Sequence, residues 1–266
     1  MNTHHLKSLL RNTAFHFVFL FILILGLHPN ILQAGWRFDD PEMLQFIVDE
    51  SIIDGLYKPE TWQKIGPPFF TPLLMLSYAV DYAIFGAEAW GFYLHQVASL
   101  ALVLLLTYHL FAKITGQWTW AAIGTLLCAI GIPTFVLAEQ IMTRHYIEGL
   151  VWSILSYNFY VKNNRTSTFI SAILYFLAIL SKEVFIPLPL VLFILSPRNL
   201  SSLLQSAQRL LPHIGLSALY ISWRFYMLGG IGGYSKQIVP DLAKLIDFVT
   251  GIRYWIFSGD LLGWIG

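Results

Sequence analysis

Cysteine and charged residues are both scarce in this sequence. The single cysteine, Cys128, excludes a disulfide framework and a zinc site built from cysteines. Because Cys128 lies within an apolar run, we expect it to be a small buried hydrophobe. Charged residues make up 12% of the 266 residues, and a soluble domain has about 25%. The formal net charge of +1 argues against a nucleic-acid-binding domain, which would carry a basic excess.

Hydrophobic residues, in contrast, make up 56% of the chain, so we expect lipid to cover part of its surface. The first apolar run, residues 13–32, follows Lys7 and Arg11 and is long enough to cross a bilayer. We interpret it as an uncleaved transmembrane helix rather than a signal peptide. Further apolar runs occupy residues 69–86, 91–111, 118–138, 146–161, 168–180, 184–195 and 211–229, and residues 248–266 begin another.

These runs predict an all-α fold: a polytopic membrane helix bundle of about seven to eight transmembrane helices. Within the runs, the prolines at 133, 187 and 189 are expected to kink helices rather than to carry function. We expect residues 1–266 to form a single transmembrane domain that is incomplete at its C-terminus, because the chain stops inside the last apolar stretch.

Basic residues indicate the orientation of this bundle. If the N-terminus is cytoplasmic and residues 69–86 lie along the membrane surface, seven basic residues and no acid fall in the inside loops, as the positive-inside rule requires. If residues 69–86 cross the membrane, the basic residues divide evenly between the two sides. Asp81 also argues against a crossing, because a carboxylate is costly at the bilayer centre. The inside residues are Lys7, Arg11, Lys113, Lys162, Arg165, Arg198 and Arg209.

This orientation creates a long first external loop at residues 33–90, which carries an interfacial helix over residues 69–86. Connections of this length are typically functional. The loop is strongly acidic, and two adjacent carboxylates, Asp39 and Asp40, lie just outside the first helix where water, metal and polar substrates can reach them. Neighbouring side chains usually point apart, so one carboxylate can act on a substrate while the other holds a metal or positions the loop. A solvated acidic turn is the alternative interpretation.

Charged and titratable residues near the outer helix ends form a second group. Ionisable groups at membrane depth are functional candidates by default, although a solvated hairpin and a snorkelling arginine are the alternatives. Cations here could stabilise a leaving phosphate, and a carboxylate could take a proton from an acceptor hydroxyl. The candidate binding residues are Arg144, Lys182, Arg224, His95 and Glu183.

Six short segments follow one another along the chain: FDDP at 38–41, PFFTPL at 68–73, YAIFG at 82–86, GFYLHQV at 91–97, LSKE at 180–183 and WR at 223–224. In order and spacing, these segments resemble the GT-C class of membrane glycosyltransferases, in particular the protein O-mannosyltransferases and their bacterial relatives. One departure is Ile132-Pro133, which stands where related transferases with helical repeats carry His-Pro before the loop that holds Glu139 and Arg144.

The resemblance implies an inverting transferase that moves a hexosyl unit such as mannose from a polyprenyl or dolichyl phosphate. The acceptor would be a hydroxyl of a protein, glycan or lipid. Asp39 or Asp40 would serve as the catalytic base or contact a divalent cation, with the choice between them open. Arg144, Lys182 and Arg224 would hold the lipid phosphate.

Two alternatives of other classes remain: a transporter or lipid-carrier flippase, and a structural membrane subunit. A transporter is expected to place broken, ionisable helices near the bilayer midplane in matching halves, whereas the ionisable groups here cluster near the outer face. The expected location is the bacterial inner membrane with a cytoplasmic N-terminus, and the endoplasmic reticulum is the alternative. Membrane lipids are expected partners and nucleic acid is not.

Overall fold

The computed structural model describes residues 3–65, 69–195 and 200–230. The predicted helix start at 248–266 lies outside these residues. Within them, the chain is helical and contains no strand, as the sequence predicts. Short 3-10 turns cover Ile31–Gln33, Gln63–Ile65, Ile141–Thr143 and Glu183–Phe185. The helices are α1 Thr3–Leu27, α2 Asp40–Asp49, α3 Ile52–Tyr57, α4 Pro59–Trp62, α5 Pro72–Phe85, α6 Ala89–Thr115, α7 Trp118–Ile130, α8 Ile132–Glu139, α9 Arg144–Tyr160, α10 Arg165–Ser181, α11 Leu188–Ile194 and α12 Leu200–Leu228.

Helix α6 is central to the packing and contacts α1, α7 and α9, while α9 packs along α10 and α10 packs against α12. The buried side chains of α6 include Phe92, Tyr93 and Val97, all fully removed from solvent. Large apolar side chains remain exposed on the outer helices, for example Leu127 on α7 and Phe169 on α10. Exposed apolar surface of this kind marks a membrane or protein contact rather than a surface that faces water.

Length and composition make α6 able to cross a membrane. Helices α7 and α8 meet the same criterion when they are taken together, although they are bent by 55° at the break between them. In the described part of the chain, therefore, one helix, or two if the bent pair counts as one span, is long and apolar enough to cross a bilayer by this criterion. Shorter apolar helices cover Thr13–Leu27, Pro72–Phe85, Arg165–Ser181 and Glu183–Ile194.

The break between α7 and α8 occurs at the expected proline kink. Gly131 leaves the helical conformation, and Pro133 lies in the first turn of α8. A proline is tolerated there because the first N–H groups of a helix have no partner within the helix. The apolar run 118–138 thus forms two helices rather than one.

The expectation that Cys128 is buried is wrong, because its side chain is exposed. Helix α7 is an outer helix that buries one face only, through Ala121, Thr125 and Ala129. These residues are four positions apart and lie on one side of the helix. Cys128 falls one residue off that stripe and therefore points away from the bundle.

Gly149 allows the closest approach between α9 and the turn Glu183–Phe185. A Cβ at this position would overlap the ring of Phe185. Because Gly149 has no side chain, the ring of Phe185 can pack directly on α9. The turn Glu183–Phe185, which follows Lys182, therefore lies against this helix.

We predict that Gly149→Ala destabilises the protein relative to Gly215→Ala. Both changes replace a helical glycine and gain helix propensity, but a Cβ at Gly215 meets no atom within 4 Å. The forced displacement of Phe185 should lower the free energy of unfolding by about 1–3 kcal/mol relative to the control. Thermal unfolding of the purified variants in detergent measures this difference. Equal stability of the two variants would contradict the close approach.

Candidate functional site

The two adjacent carboxylates of the first loop point into different environments. Asp39 is exposed at the N-cap position of α2, where its side chain makes no capping hydrogen bond, and Asp40 is fully buried. The preceding residue, Phe38, adopts a φ of 51°. This left-handed conformation is costly for a bulky residue, on the order of 1 kcal/mol or more. Strain directly before the two acids is a feature found at functional sites.

Asp40 anchors the loop to two distant parts of the chain. Its Oδ1 accepts hydrogen bonds from the Tyr78 hydroxyl at 3.0 Å and from the Met142 backbone N–H at 2.8 Å. Its Oδ2 accepts a longer bond of 3.4 Å from the Arg37 backbone N–H. Burial raises the pKa of Asp40, and the hydrogen bonds from Tyr78 and Met142 oppose that rise. These contacts hold the start of α2 against α5 and against the turn before α9.

A partly exposed ion pair lies beside this anchor. The Arg37 guanidinium donates to Glu139 Oε2 at 3.0 Å, and the two side chains are 40% and 35% exposed. His28 Nδ1 lies 3.6 Å from the other oxygen of Glu139. The pair connects the first loop to the end of α8, and both charged groups remain within reach of a polar ligand.

A buried ion pair joins α5 to α9. Arg144 Nη1 lies 2.5 Å from Asp81 Oδ2, and neither side chain is more than 2% exposed. His95 Nδ1 lies 2.7 Å from Asp81 Oδ1, so one carboxylate contacts both groups. The imidazole is 34% exposed, and it links the buried pair to the surface.

The Arg144 guanidinium is almost completely enclosed by acceptors. Besides Asp81, it donates to Gln96 Oε1 at 3.1 Å, to Ser77 Oγ at 3.1 Å and to the Phe92 carbonyl at 2.7 Å. It also lies 5.3 Å from the centre of the Tyr78 ring. Compensation of this kind is what allows a charge to be buried. In this arrangement Arg144 holds helices together and has no free face for a substrate phosphate.

Lys182 and Arg224 belong to a neighbouring cluster. Lys182 is 6% exposed, and its Nζ lies 3.4 Å from the centre of the Phe69 ring and 5.9 Å from that of Tyr146. Arg224 Nη2 lies 3.9 Å from Glu183 Oε1, in a partly buried pair. A cation over an aromatic face is stabilised by the ring, and Glu183 acts on the charge of Lys182 from beyond ion-pair distance.

The structure thus brings the predicted site residues to one end of the helix bundle. The Asp40 anchor reaches the buried ion pair through Tyr78, which contacts both Asp40 and Arg144. Arg144 opens α9, and Tyr146 in the same turn reaches Lys182. The seven candidates are Asp39, Asp40, His95, Arg144, Lys182, Glu183 and Arg224.

Sequence reasoning did not select Asp81, Arg37 or Glu139 as site residues. The signal for Asp81 was present, because it is an acid within an apolar run, and Arg144 is a base at the start of another. Two opposite charges in apolar segments favour pairing when both are buried. The pairing of Arg37 with Glu139 joins residues 102 positions apart and had no local signal.

A metal site is not evident in the described part of the chain, where no three His, Cys, Asp or Glu side chains are grouped closely enough to hold an ion. Asp40 fits a cation poorly because both of its oxygens accept hydrogen bonds. The sequence leaves open a divalent cation at Asp39 or Asp40, and of the two only Asp39 is exposed.

Replacing Asp81 should destabilise the fold strongly. In Asp81→Asn the buried Arg144 keeps its charge and loses its counter-charge, which should cost about 3–5 kcal/mol. The control is Asp54→Asn, which weakens a partly exposed pair with Lys58 near the surface and should change stability little. Thermal unfolding in detergent compares the two variants. Similar losses in both would show that the Asp81 pair is not the stabilising contact.

The stability contribution of Asp40 should depend on pH in a defined direction. Its pKa is raised in the folded state, so the folded chain binds the proton more tightly than the unfolded chain does. Stability is then lost as the pH rises from the unfolded pKa through the folded one. Asp40→Asn cannot titrate, so its stability relative to wild type should increase as the pH is raised from about 4.

Denaturation midpoints across the pH range test this dependence, with Asp39→Asn as the control for the loss of one carboxylate from the same loop. A constant difference between Asp40→Asn and wild type at every pH would contradict the raised pKa.

Comparison with known proteins adds no family assignment to this site. The chain matches no protein-family model, no curated protein and no solved structure.

Proposed function

We propose that this chain is the membrane part of a glycosyltransferase that takes a sugar from a polyprenyl- or dolichyl-phosphate donor. The reaction is an inverting transfer of a hexosyl unit, such as mannose, to a hydroxyl on a protein, glycan or lipid. The proposal follows the resemblance to the GT-C class. The observation that carries it is the different environment of two adjacent acids: Asp40 is buried and hydrogen-bonded, and Asp39 is exposed beside it.

The membrane placement is part of this proposal. We place seven to eight helices across the bilayer, with a cytoplasmic N-terminus and the loop 33–90 on the outer side. The bent pair α7–α8 counts as one span, and α5 lies along the interface. The exposed apolar side chains of the outer helices support a lipid environment. A lipid-linked donor keeps its tail in the bilayer, so a site at the outer helix ends meets its phosphate at the surface.

Asp39 is the residue to which we assign the role of base. In the proposed reaction its carboxylate accepts the proton of the acceptor hydroxyl while the hydroxyl oxygen attacks the anomeric carbon. The bond between that carbon and the donor phosphate oxygen breaks, and its electron pair leaves with the lipid phosphate. One displacement inverts the configuration at the anomeric carbon.

Lys182 and Arg224 are the cations that we assign to the leaving phosphate. Both lie at the same end of the bundle as Asp39, and Lys182 lies over two aromatic rings. Cations stabilise the negative charge that grows on the phosphate as the sugar leaves, which is usually a large contribution to catalysis. Arg144 and Asp40 are positioning residues in this scheme, because their polar atoms are occupied by protein contacts.

His95 and Glu183 have intermediate positions in the proposed site. His95 is partly exposed and is oriented by Asp81, which leaves its other ring nitrogen for a donor or acceptor hydroxyl. Glu183 is also partly exposed and holds Arg224. We assign both to substrate binding rather than to proton transfer.

The test of the proposed function is sugar release from a panel of polyprenyl-phosphate sugars by the purified full-length protein. Asp39→Asn should reduce release about 10²-fold or more, because general base catalysis supplies a factor of that order. The control is Glu42→Gln, which removes another exposed carboxylate from α2 and should leave the rate unchanged. Asp40→Asn should lower the rate less than Asp39→Asn.

Two outcomes would count against the proposal in different ways. A large loss in Asp40→Asn together with an active Asp39→Asn would move the role of base to Asp40. No release from any donor, with donor binding equal in all variants, would favour a transporter or lipid-carrier flippase.

A further inference from the structure

A cationic cleft lies at the opposite end of the bundle from the proposed transfer site. Its volume is about 590 Å³, and it lies between the start of α10 and the first half of α12. Arg165 and Arg209 line it together with side-chain amides and a hydroxyl. Helix α10 has 17 residues, so the cleft and Lys182 are separated by about 25 Å along this helix.

The guanidinium of Arg209 is fixed at the edge of the cleft by neutral partners. It donates to Asn163 Oδ1 at 2.7 Å, to Thr168 Oγ1 at 3.2 Å and to the Tyr160 carbonyl. The same group stacks 4.3 Å from the centre of the Tyr160 ring. In the described part of the chain, no carboxylate lies within ion-pair distance of Arg209 or Arg165. The three hydrogen bonds therefore hold the Arg209 guanidinium in place, but none of them neutralises its charge.

The lining of the cleft favours an anion with an apolar part. Among the described residues that line it, none is acidic. Phe169 also lines it and is 63% exposed, one helical turn after Arg165, and the exposed Pro212 follows Arg209 on α12. Charged and amide groups at one edge with an exposed apolar surface beside them fit a phosphate headgroup and the upper part of an acyl chain.

We infer that this cleft binds the phosphate headgroup of an anionic phospholipid in the cytoplasmic leaflet. The inference rests on the membrane placement given under the proposed function, and it does not depend on sugar transfer. That placement puts this end of the bundle in the cytoplasmic leaflet, which carries the anionic lipids. Arg209 supplies a fixed guanidinium, and Arg165 closes on the phosphate from the first turn of α10.

The test is lipid binding to the purified full-length protein, measured by native mass spectrometry with phosphatidylglycerol and phosphatidylcholine of equal chain length. Phosphatidylglycerol should bind about tenfold more tightly. Arg165→Gln should weaken this binding about three- to tenfold, which is the size expected for the loss of one direct hydrogen-bonding contact to the phosphate. Gln208→Glu places an acid in the cleft without removing a contact of Arg209, and should weaken it similarly.

Lys162→Gln is the matched control, because Lys162 is an exposed cation of the same connection that packs on Phe159 and does not line the cleft. This variant should change phosphatidylglycerol affinity less than about twofold, because Lys162 makes no contact in the cleft and its exposed charge is screened by salt. Equal losses in Lys162→Gln and Arg165→Gln would show general charge attraction and overturn the site. Equal affinity for the two lipids would overturn it as well. Displacement of phosphatidylglycerol by millimolar inorganic phosphate would identify a site for a soluble anion and overturn the lipid headgroup.

These measurements separate the failure of this inference from failure of the proposed function. Sugar release is measured at the other end of the bundle and does not use Arg165 or Gln208. Loss of lipid binding with normal release in Arg165→Gln supports both proposals. Lipid selectivity without any sugar release supports the cleft alone.

Discussion

A guanidinium that is removed from water needs a counter-charge, and Arg144 finds its counter-charge in Asp81. The pair is buried at the junction of α5, α6 and α9. Breaking such a pair by removing one partner is far more costly than the pair is stabilising. The pair is therefore one of the contacts that hold these three helices together. Tyr78 contacts Arg144, and His95 contacts Asp81, so the buried pair also positions these two side chains in the candidate site.

The same contact explains why two adjacent carboxylates can differ so much. Tyr78 lies over Arg144 and donates to Asp40, so the buried ion pair and the buried acid share one aromatic side chain. Once Asp40 is held inward, the start of α2 directs Asp39 outward, and the strained Phe38 marks the turn between loop and helix. The exposed carboxylate is therefore placed by contacts that it does not make itself.

The sequence predicts the all-α class correctly, because apolar runs indicate which segments must be covered by other helices or by lipid. It predicts a kink at Pro133 but not that the chain would divide there into two helices. It does not predict which of Asp39 and Asp40 is buried, since the partners of Asp40 lie 38 and 102 residues away. It misplaces Cys128 because an apolar run does not reveal which face of a helix packs. Local composition predicts which segments are helical. Which of two chemically equal residues is buried depends on distant contacts.

The hydrogen bond from Met142 to Asp40 can form only at a late stage of biosynthesis. Its two ends are separated by 102 residues, so the acceptor leaves the ribosome roughly 5–20 s before the donor at usual rates of synthesis. During that interval, the first loop has already emerged while the α8 region and the turn after it are still being made. The inward position of Asp40, and with it the outward position of Asp39, can be completed only late in synthesis. A ribosome that stalls within α8 would hold a chain in which Tyr78 can already bond Asp40 but the second anchor, Met142, has not yet been made.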